Sequence, residues 1–185
     1  MRCASIRSKT IILSVGLAGL IPTLYGSGDE PAQPSSETPP LLVVASADGR
    51  VELTAERLAE LPRESVSIKV DGGATVKYEG VLVSQLLKLV DVKLGDDLRG
   101  PALARYALVE AADGYRAVFS LTELDQEVTE RAVLLADRRD GQPLDAKEGP
   151  LRIVIPDEKR HARWVRQVTA IHVREAPRTT DDAEK

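Results

Sequence analysis

The chain has 185 residues, of which 43% are hydrophobic, so it can bury the core of one domain of ordinary size. Its formal net charge of −4 and its aromatic content of 3% argue against a general nucleic-acid binder, which needs a basic surface and rings for base stacking. With a single cysteine, Cys3, the chain is also excluded from the class of disulfide-framework proteins.

The N-terminus has the pattern of an export signal, which we place at residues 1–26. Arg2, Arg7 and Lys9 form a positive segment, and residues 10–21 are an apolar run. That run is shorter than the roughly 20 residues that a membrane span requires, with an uncleaved anchor as the alternative. Cleavage would give a periplasmic or secreted product without a membrane span, and without the thiol that cysteine-based catalysis or metal ligation requires.

The remaining sequence divides into three parts by composition. Residues 27–40 are rich in Pro, Ser and acidic residues, which predicts a disordered linker. Residues 41–177 are predicted to form the globular domain, beginning with an apolar strand at 41–45. Residues 178–185 form a polar tail.

The first half of the domain alternates short strands and helices. Thr54 is a predicted N-cap for a helix over residues 55–61. Residues 66–70 alternate apolar and polar side chains, which predicts a half-buried strand that turns back into a second one at 76–78. Residues 82–90 carry a wide apolar stripe at helical spacing and predict a buried helix.

The second half begins with a predicted hairpin of strands at 105–111 and 115–119. Ser120 and Glu123 have the spacing of a capping box and predict a short helix. Residues 133–136 read as another buried strand.

Residues 149–173 contain the side chains that are candidates for binding a ligand. A β-branched strand at 151–155 lies between two prolines, and a closing strand follows at 167–173. The turn between them contains the only tryptophan, Trp164, and five basic or imidazole residues, namely Lys159, Arg160, His161, Arg163 and Arg166. Two hypotheses follow: the cations and a buried indole hold an anion, or the turn is solvated and the tryptophan fills the core.

The order of elements is irregular, with hairpins interspersed by short helices. This favours an α+β domain built on a mixed or antiparallel sheet with short helices over a doubly wound fold.

Nine segments of residues 41–173 carry a family resemblance. They are YEGVL at 78–82, LL at 86–87, YALVE at 106–110, DGY at 113–115, LLA at 134–136, DGQPL at 140–144, GPLRIVIP at 149–156, WV at 164–165 and IHV at 171–173. In this order they resemble the oxidoreductase molybdopterin-binding domain, the catalytic domain of sulfite oxidases and of bacterial periplasmic sulfoxide reductases. The DGQPL turn and the GPLR strand together are the most specific part.

The resemblance implies an α+β fold with a mixed sheet and molybdopterin as cofactor, whereas the residues themselves establish no cofactor. Catalytic members hold molybdenum through the pterin dithiolene and a cysteine on the strand that corresponds to residues 66–70. That strand has no cysteine here, and Ser67, its nearest polar substitute, is a poor ligand for a soft site.

Basic residues after the GPLR strand meet the cofactor phosphate in the family. By position, the resemblance implicates Lys159, Arg160 and Arg163, together with Arg152, as anion-binding residues. Arginine offers a bidentate fork to a phosphate and lysine a point charge.

Other chemistries find little support in the sequence. The only histidines, His161 and His172, are expected to be solvated, and their spacing matches no common zinc motif. Ser120 is better explained as a helix cap than as a nucleophile. We therefore expect an exported, non-catalytic module that binds a small anionic ligand or an exported partner protein. The alternative is a molybdopterin-dependent oxidoreductase, similar to sulfite oxidase, without a protein thiolate.

Overall fold

A computed structural model describes residues 39–70 and 72–178 of the chain. The predicted export signal (1–26), nearly all of the predicted linker (27–40) and all but the first residue of the polar tail (178–185) lie outside these residues. No helix within the described ranges is long and apolar enough to cross a membrane.

The described residues form ten strands and three short helices. The strands are β1 (Leu42–Ala45), β2 (Arg50–Leu53), β3 (Glu64–Lys69), β4 (Thr75–Leu82), β5 (Arg105–Ala111), β6 (Arg116–Ser120), β7 (Leu134–Arg139), β8 (Gln142–Pro143), β9 (Arg152–Val154) and β10 (Val168–Glu175). The helices are α1 (Ala55–Ala59), α2 (Val83–Lys88) and α3 (Leu121–Leu124), and 3-10 turns cover Gly95–Asp97, Gly100–Ala104 and His161–Arg163.

The strands form two five-stranded sheets. The first has the order β2-β1-β10-β5-β6 and is mixed, because β1 runs parallel to β10 while the other pairs are antiparallel. The second has the order β3-β4-β7-β8, and β9 pairs with β7 beside β8. The α+β class is confirmed, but the sequence predicted one sheet where the structure has two.

Local signals in the sequence placed several elements correctly. The Thr54 hydroxyl accepts a hydrogen bond from the Arg57 amide and caps α1. Both halves of the Ser120–Glu123 capping box are formed at α3. The sequence missed β2, whose four residues form a strand because a tight turn, closed by the Ser46 hydroxyl, folds them back along β1.

One core prediction needs correction at the end of the second helix. α2 ends at Lys88, two residues before the predicted end, so Leu89 leaves the apolar face and is 37% exposed. Leu86, Leu87 and Val90 are buried as predicted. The core they join continues through both sheets and includes Phe119, Leu134, Leu135, Ile153 and Ile155.

Candidate functional site

The basic turn leaves β9 and is tied back to it. The Ile153 amide donates to the Val165 carbonyl at 2.8 Å, and Arg152 and Arg166 form an isolated antiparallel bridge. These bonds fix both ends of the turn, so the cationic residues between them project from a defined position beside the second sheet.

Arg152 is buried and its charge is already compensated. Its side chain is 6% exposed, and its Nη1 lies 2.5 Å from Glu148 Oε1. The guanidinium carbon lies 5.3 Å from the ring centre of Trp164 and 5.8 Å from that of Tyr78, within cation–π range. The guanidinium of Arg152 is therefore surrounded by two aromatic rings and one carboxylate.

Arg163 is likewise held by acidic partners. Its Nη1 lies 3.0 Å from Glu123 Oε2, its Nη2 is ion-paired with Glu158, and its guanidinium covers the Phe119 ring at 4.8 Å. Burial lowers the pKa of Arg163, but hydrogen bonds to Glu123 and Glu158 outweigh it, and the net shift is upward. Arg131 joins the same cluster through Glu123 at 3.4 Å.

Lys159 and Arg160 differ from these two arginines. Both are exposed, and neither forms an ion pair within residues 39–70 and 72–178. Lys159 lines a groove of about 800 Å³, and the end of β3 lines the same groove. We call it the Lys69–Lys159 groove, and it is lined by Ser67, Ile68, Lys69, Val70, Pro156, Glu158, Lys159 and His161.

Of the four predicted anion-binding residues, the structure thus places one, Lys159, on the groove wall, and Arg160 follows it in the same turn. Arg152 and Arg163 are engaged by carboxylates. Sequence reasoning missed Lys69. The alternation of apolar and polar residues at 66–70 indicates only that the Lys69 side chain is solvated, and it says nothing about Lys159, which lies ninety positions further along the chain.

Trp164 is buried, as both sequence hypotheses expected. It is 5% exposed and meets the Tyr78 ring edge-on at 6.2 Å. His161 is exposed and stacks on the indole at 3.8 Å, with the ring planes 21° apart. A second, smaller groove of about 290 Å³ lies beside this stack, and Tyr115 borders it and donates from its hydroxyl to the Ala162 carbonyl at 2.7 Å.

His172 lies away from this site on β10. Its neighbours Ile171 and Val173 are buried while His172 is half-buried, and its Nε2 lies 3.7 Å from Glu110 Oε2. No group of three or more His, Cys, Asp or Glu side chains that could hold a metal ion occurs in the described part of the chain.

Comparisons with known proteins agree with this architecture. The model of the family described as the oxidoreductase molybdopterin binding domain matches residues 41–181. Among solved structures, the sulfane dehydrogenase SoxCD from Paracoccus pantotrophus is similar, with a TM-score of 0.56 and 19% sequence identity. The match covers 73% of this chain and 38% of that one, and at this identity it shows the fold alone. A search of the curated proteins found no match.

Proposed function

The chain belongs to the oxidoreductase molybdopterin-binding domain family, and we propose that it is a periplasmic or secreted, non-catalytic member that binds an anionic group, of a small ligand or of a partner protein, in the Lys69–Lys159 groove. The observation that carries the proposal is the distribution of charge around this groove. Its volume of about 800 Å³ lies in the range of roughly 300–1,000 Å³ that is usual for ligand sites.

Among the described residues, the lining of the groove carries more positive than negative charge, with two lysines and one carboxylate that is already engaged. Glu158 is ion-paired with Arg163, whereas Lys69 and Lys159 have no such partner in the described residues. Arg160 adds a third exposed cation next to Lys159. Two cations that line the same groove favour the binding of an anion there, and hydrogen bonds to a charged acceptor are the stronger kind.

The residues of the groove do not fit a molybdenum centre of the kind that catalytic family members use. They offer a hydroxyl, two amines, an imidazole and the engaged carboxylate of Glu158. None of these is the thiolate that a soft-ligand site prefers, and the chain's one cysteine is Cys3. We therefore assign no redox step to this site.

Removing the two groove lysines should weaken anion binding strongly. We expect Lys69→Gln/Lys159→Gln to weaken the binding of inorganic phosphate by about a hundredfold or more, since each of the two lost charged hydrogen bonds is worth roughly 1.5–3 kcal/mol. Isothermal titration calorimetry at low ionic strength measures this, and added salt should weaken the wild-type affinity.

The matched control is Lys88→Gln/Lys147→Gln, which changes the net charge equally at two exposed lysines outside the groove. It should bind phosphate as the wild type does. Equal losses in both double variants would mean that only overall charge matters, and the proposal would be wrong.

Metal analysis separates this function from its alternative, a molybdopterin-dependent oxidoreductase without a protein thiolate. We expect protein purified from a host that makes molybdopterin to contain far less than one molybdenum per chain, because the groove supplies no soft ligand. Inductively coupled plasma mass spectrometry and pterin fluorescence after oxidative release measure this. Stoichiometric molybdenum and pterin would overturn the non-catalytic assignment.

A further inference from the structure

We propose that the anionic ligand of the Lys69–Lys159 groove is an extended acidic segment of another polypeptide, which adds as a strand to the open edge of β3. This inference rests on the proposed function, because it names the ligand of the same groove. The additional support comes from the unpaired backbone N–H and C=O groups of β3.

β3 is the edge strand of the second sheet. It pairs along all six of its residues with β4, and no backbone hydrogen bond joins it to any other element in the described residues. An edge strand presents a row of unpaired N–H and C=O groups, which is a template for a further strand.

The hydrogen-bond pattern shows which residues of β3 face that open edge. The Val70 amide donates to the Ala74 carbonyl at 2.9 Å, so these two residues form a hydrogen-bonded pair where the hairpin closes. Because such pairs alternate along an antiparallel ladder, Ile68 and Val66 also turn their backbone groups toward β4. Ser67 and Lys69 therefore turn theirs outward.

The groove follows this edge. Four consecutive residues line it, from Ser67 to Val70, and consecutive side chains of a strand point to opposite faces of the sheet. A cavity that touches all four runs along the edge of the sheet and not over one face. The outward N–H and C=O groups of Ser67 and Lys69 consequently border the space that a ligand would occupy.

The charges of the residues that line the groove favour an acidic partner. Lys69 belongs to β3 and Lys159 to the basic turn, and both line the groove, so carboxylates of a bound peptide would find a cation from each segment. Ile68, Val70 and Pro156 give the same groove apolar contacts. A segment that alternates acidic and apolar residues matches both features, and strand addition supplies its main-chain bonds.

A second copy of this chain fits the edge less well. Two antiparallel β3 strands related by a two-fold axis would place residues of the same sheet face opposite each other. Glu64 and Lys69 lie on different faces, because their separation along the strand is odd, so Lys69 would never be opposite Glu64. The lysines would then have no acidic partner across the interface.

Amide exchange with a model peptide tests the inference. The probe is the acetylated and amidated hexapeptide Glu-Val-Glu-Val-Glu-Val, titrated into the full chain and followed by NMR. We expect the amides of Ser67 and Lys69 to become protected about tenfold or more, because each gains a strand hydrogen bond. The same peptide N-methylated at every residue keeps the charge, but its methyl groups block the close approach of the two backbones and leave no donor for the carbonyls of β3, so it should give no protection.

A paired substitution checks the backbone role of the edge. Ser67→Pro removes an N–H group that points to the open edge, a change that an edge strand tolerates. It should weaken the binding of the peptide about tenfold. Ser67→Ala keeps that N–H and should bind the peptide as the wild type does. If Ser67→Pro does not fold, the amide exchange of the wild type with the two peptides tests strand addition by itself.

The outcomes separate this inference from the proposed function. Phosphate binding that depends on Lys69 and Lys159, without protection of the β3 amides by the peptide, would overturn strand addition and leave the anion site standing. Binding of neither probe would overturn both. Concentration-dependent protection of the same amides without peptide, together with a dimer in analytical ultracentrifugation, would make a second copy the occupant and also refute the inference.

Discussion

Replacing Gly80 with alanine is expected to destabilise the domain by at least about 3 kcal/mol, a large part of the 5–15 kcal/mol that stabilises a typical domain. A Cβ atom at this position would lie 2.0 Å from the Leu135 carbonyl oxygen and 2.6 Å from the Ala136 Cα. Both atoms belong to the backbone of β7, the central partner of β4, so no side-chain rotation relieves the clash.

The local geometry explains why the two strands come so close. The β4–β7 register shifts between Glu79 and Gly80, and the strand backbones approach each other at this irregularity. An alanine must therefore push the two strands apart, which would also break hydrogen bonds of the ladder.

Urea denaturation measures the loss, with the fluorescence of the buried Trp164 as the probe. Gly49→Ala is the matched control, because a Cβ there would meet its nearest atom, the Val90 Cα, at 3.4 Å. We expect that variant to change the unfolding free energy by less than about 1 kcal/mol. Similar losses in the two variants would contradict the close-approach explanation.

The second large effect is expected at the buried ion pair. Glu148→Ala should cost about 3–5 kcal/mol, because it leaves the Arg152 guanidinium without its counter-charge in a buried site. Glu148 Oε1 lies 2.5 Å from Arg152 Nη1, and the two side chains are 17% and 6% exposed. The cage of Tyr78 and Trp164 rings cannot replace a carboxylate, since cation–π contacts contribute about 0.5–2 kcal/mol.

Two further variants make this prediction specific. Glu130→Ala removes an exposed carboxylate and should leave the unfolding free energy within about 0.5 kcal/mol of the wild type. Glu148→Ala/Arg152→Met removes both charges and should recover most of the loss, because an apolar side chain of similar length can fill the space between the rings. If the double variant is no more stable than Glu148→Ala, the unpaired charge is not the cause.

Arg152 and Arg163 resembled ligand-binding residues in the sequence because of their positions along the chain. The resemblance implicated Arg163 by its place in the loop after the GPLR strand and Arg152 by its place in the strand itself, and sequence position cannot show what else surrounds a side chain. Glu148 is close in sequence to Arg152, but Glu123 is forty residues before Arg163 and comes from the capping box of α3. Of the two carboxylates that compensate Arg163, Glu158 lies five residues before it, whereas Glu123 was visible in the sequence only as part of a helix cap.

The capping residues and most strands could be predicted, because turn chemistry and apolar periodicity are local properties. Thr54 and Ser120 carry their signal within four residues. The division into two sheets could not be predicted, since it depends on the pairing of β10 with both β1 and β5, which lie far from it along the chain. No local pattern encodes that pairing.

The amino-acid sequence by itself determined the α+β class, the family resemblance and the absence of a thiol from the domain, because residue identity and periodicity can be read without a fold. Only the tertiary structure decided which cations remain available to a ligand. It engages Arg152 and Arg163 with carboxylates and brings Lys69 to the groove that Lys159 borders. The physical reason is that charge compensation acts through space over a few ångströms, whatever the distance along the chain.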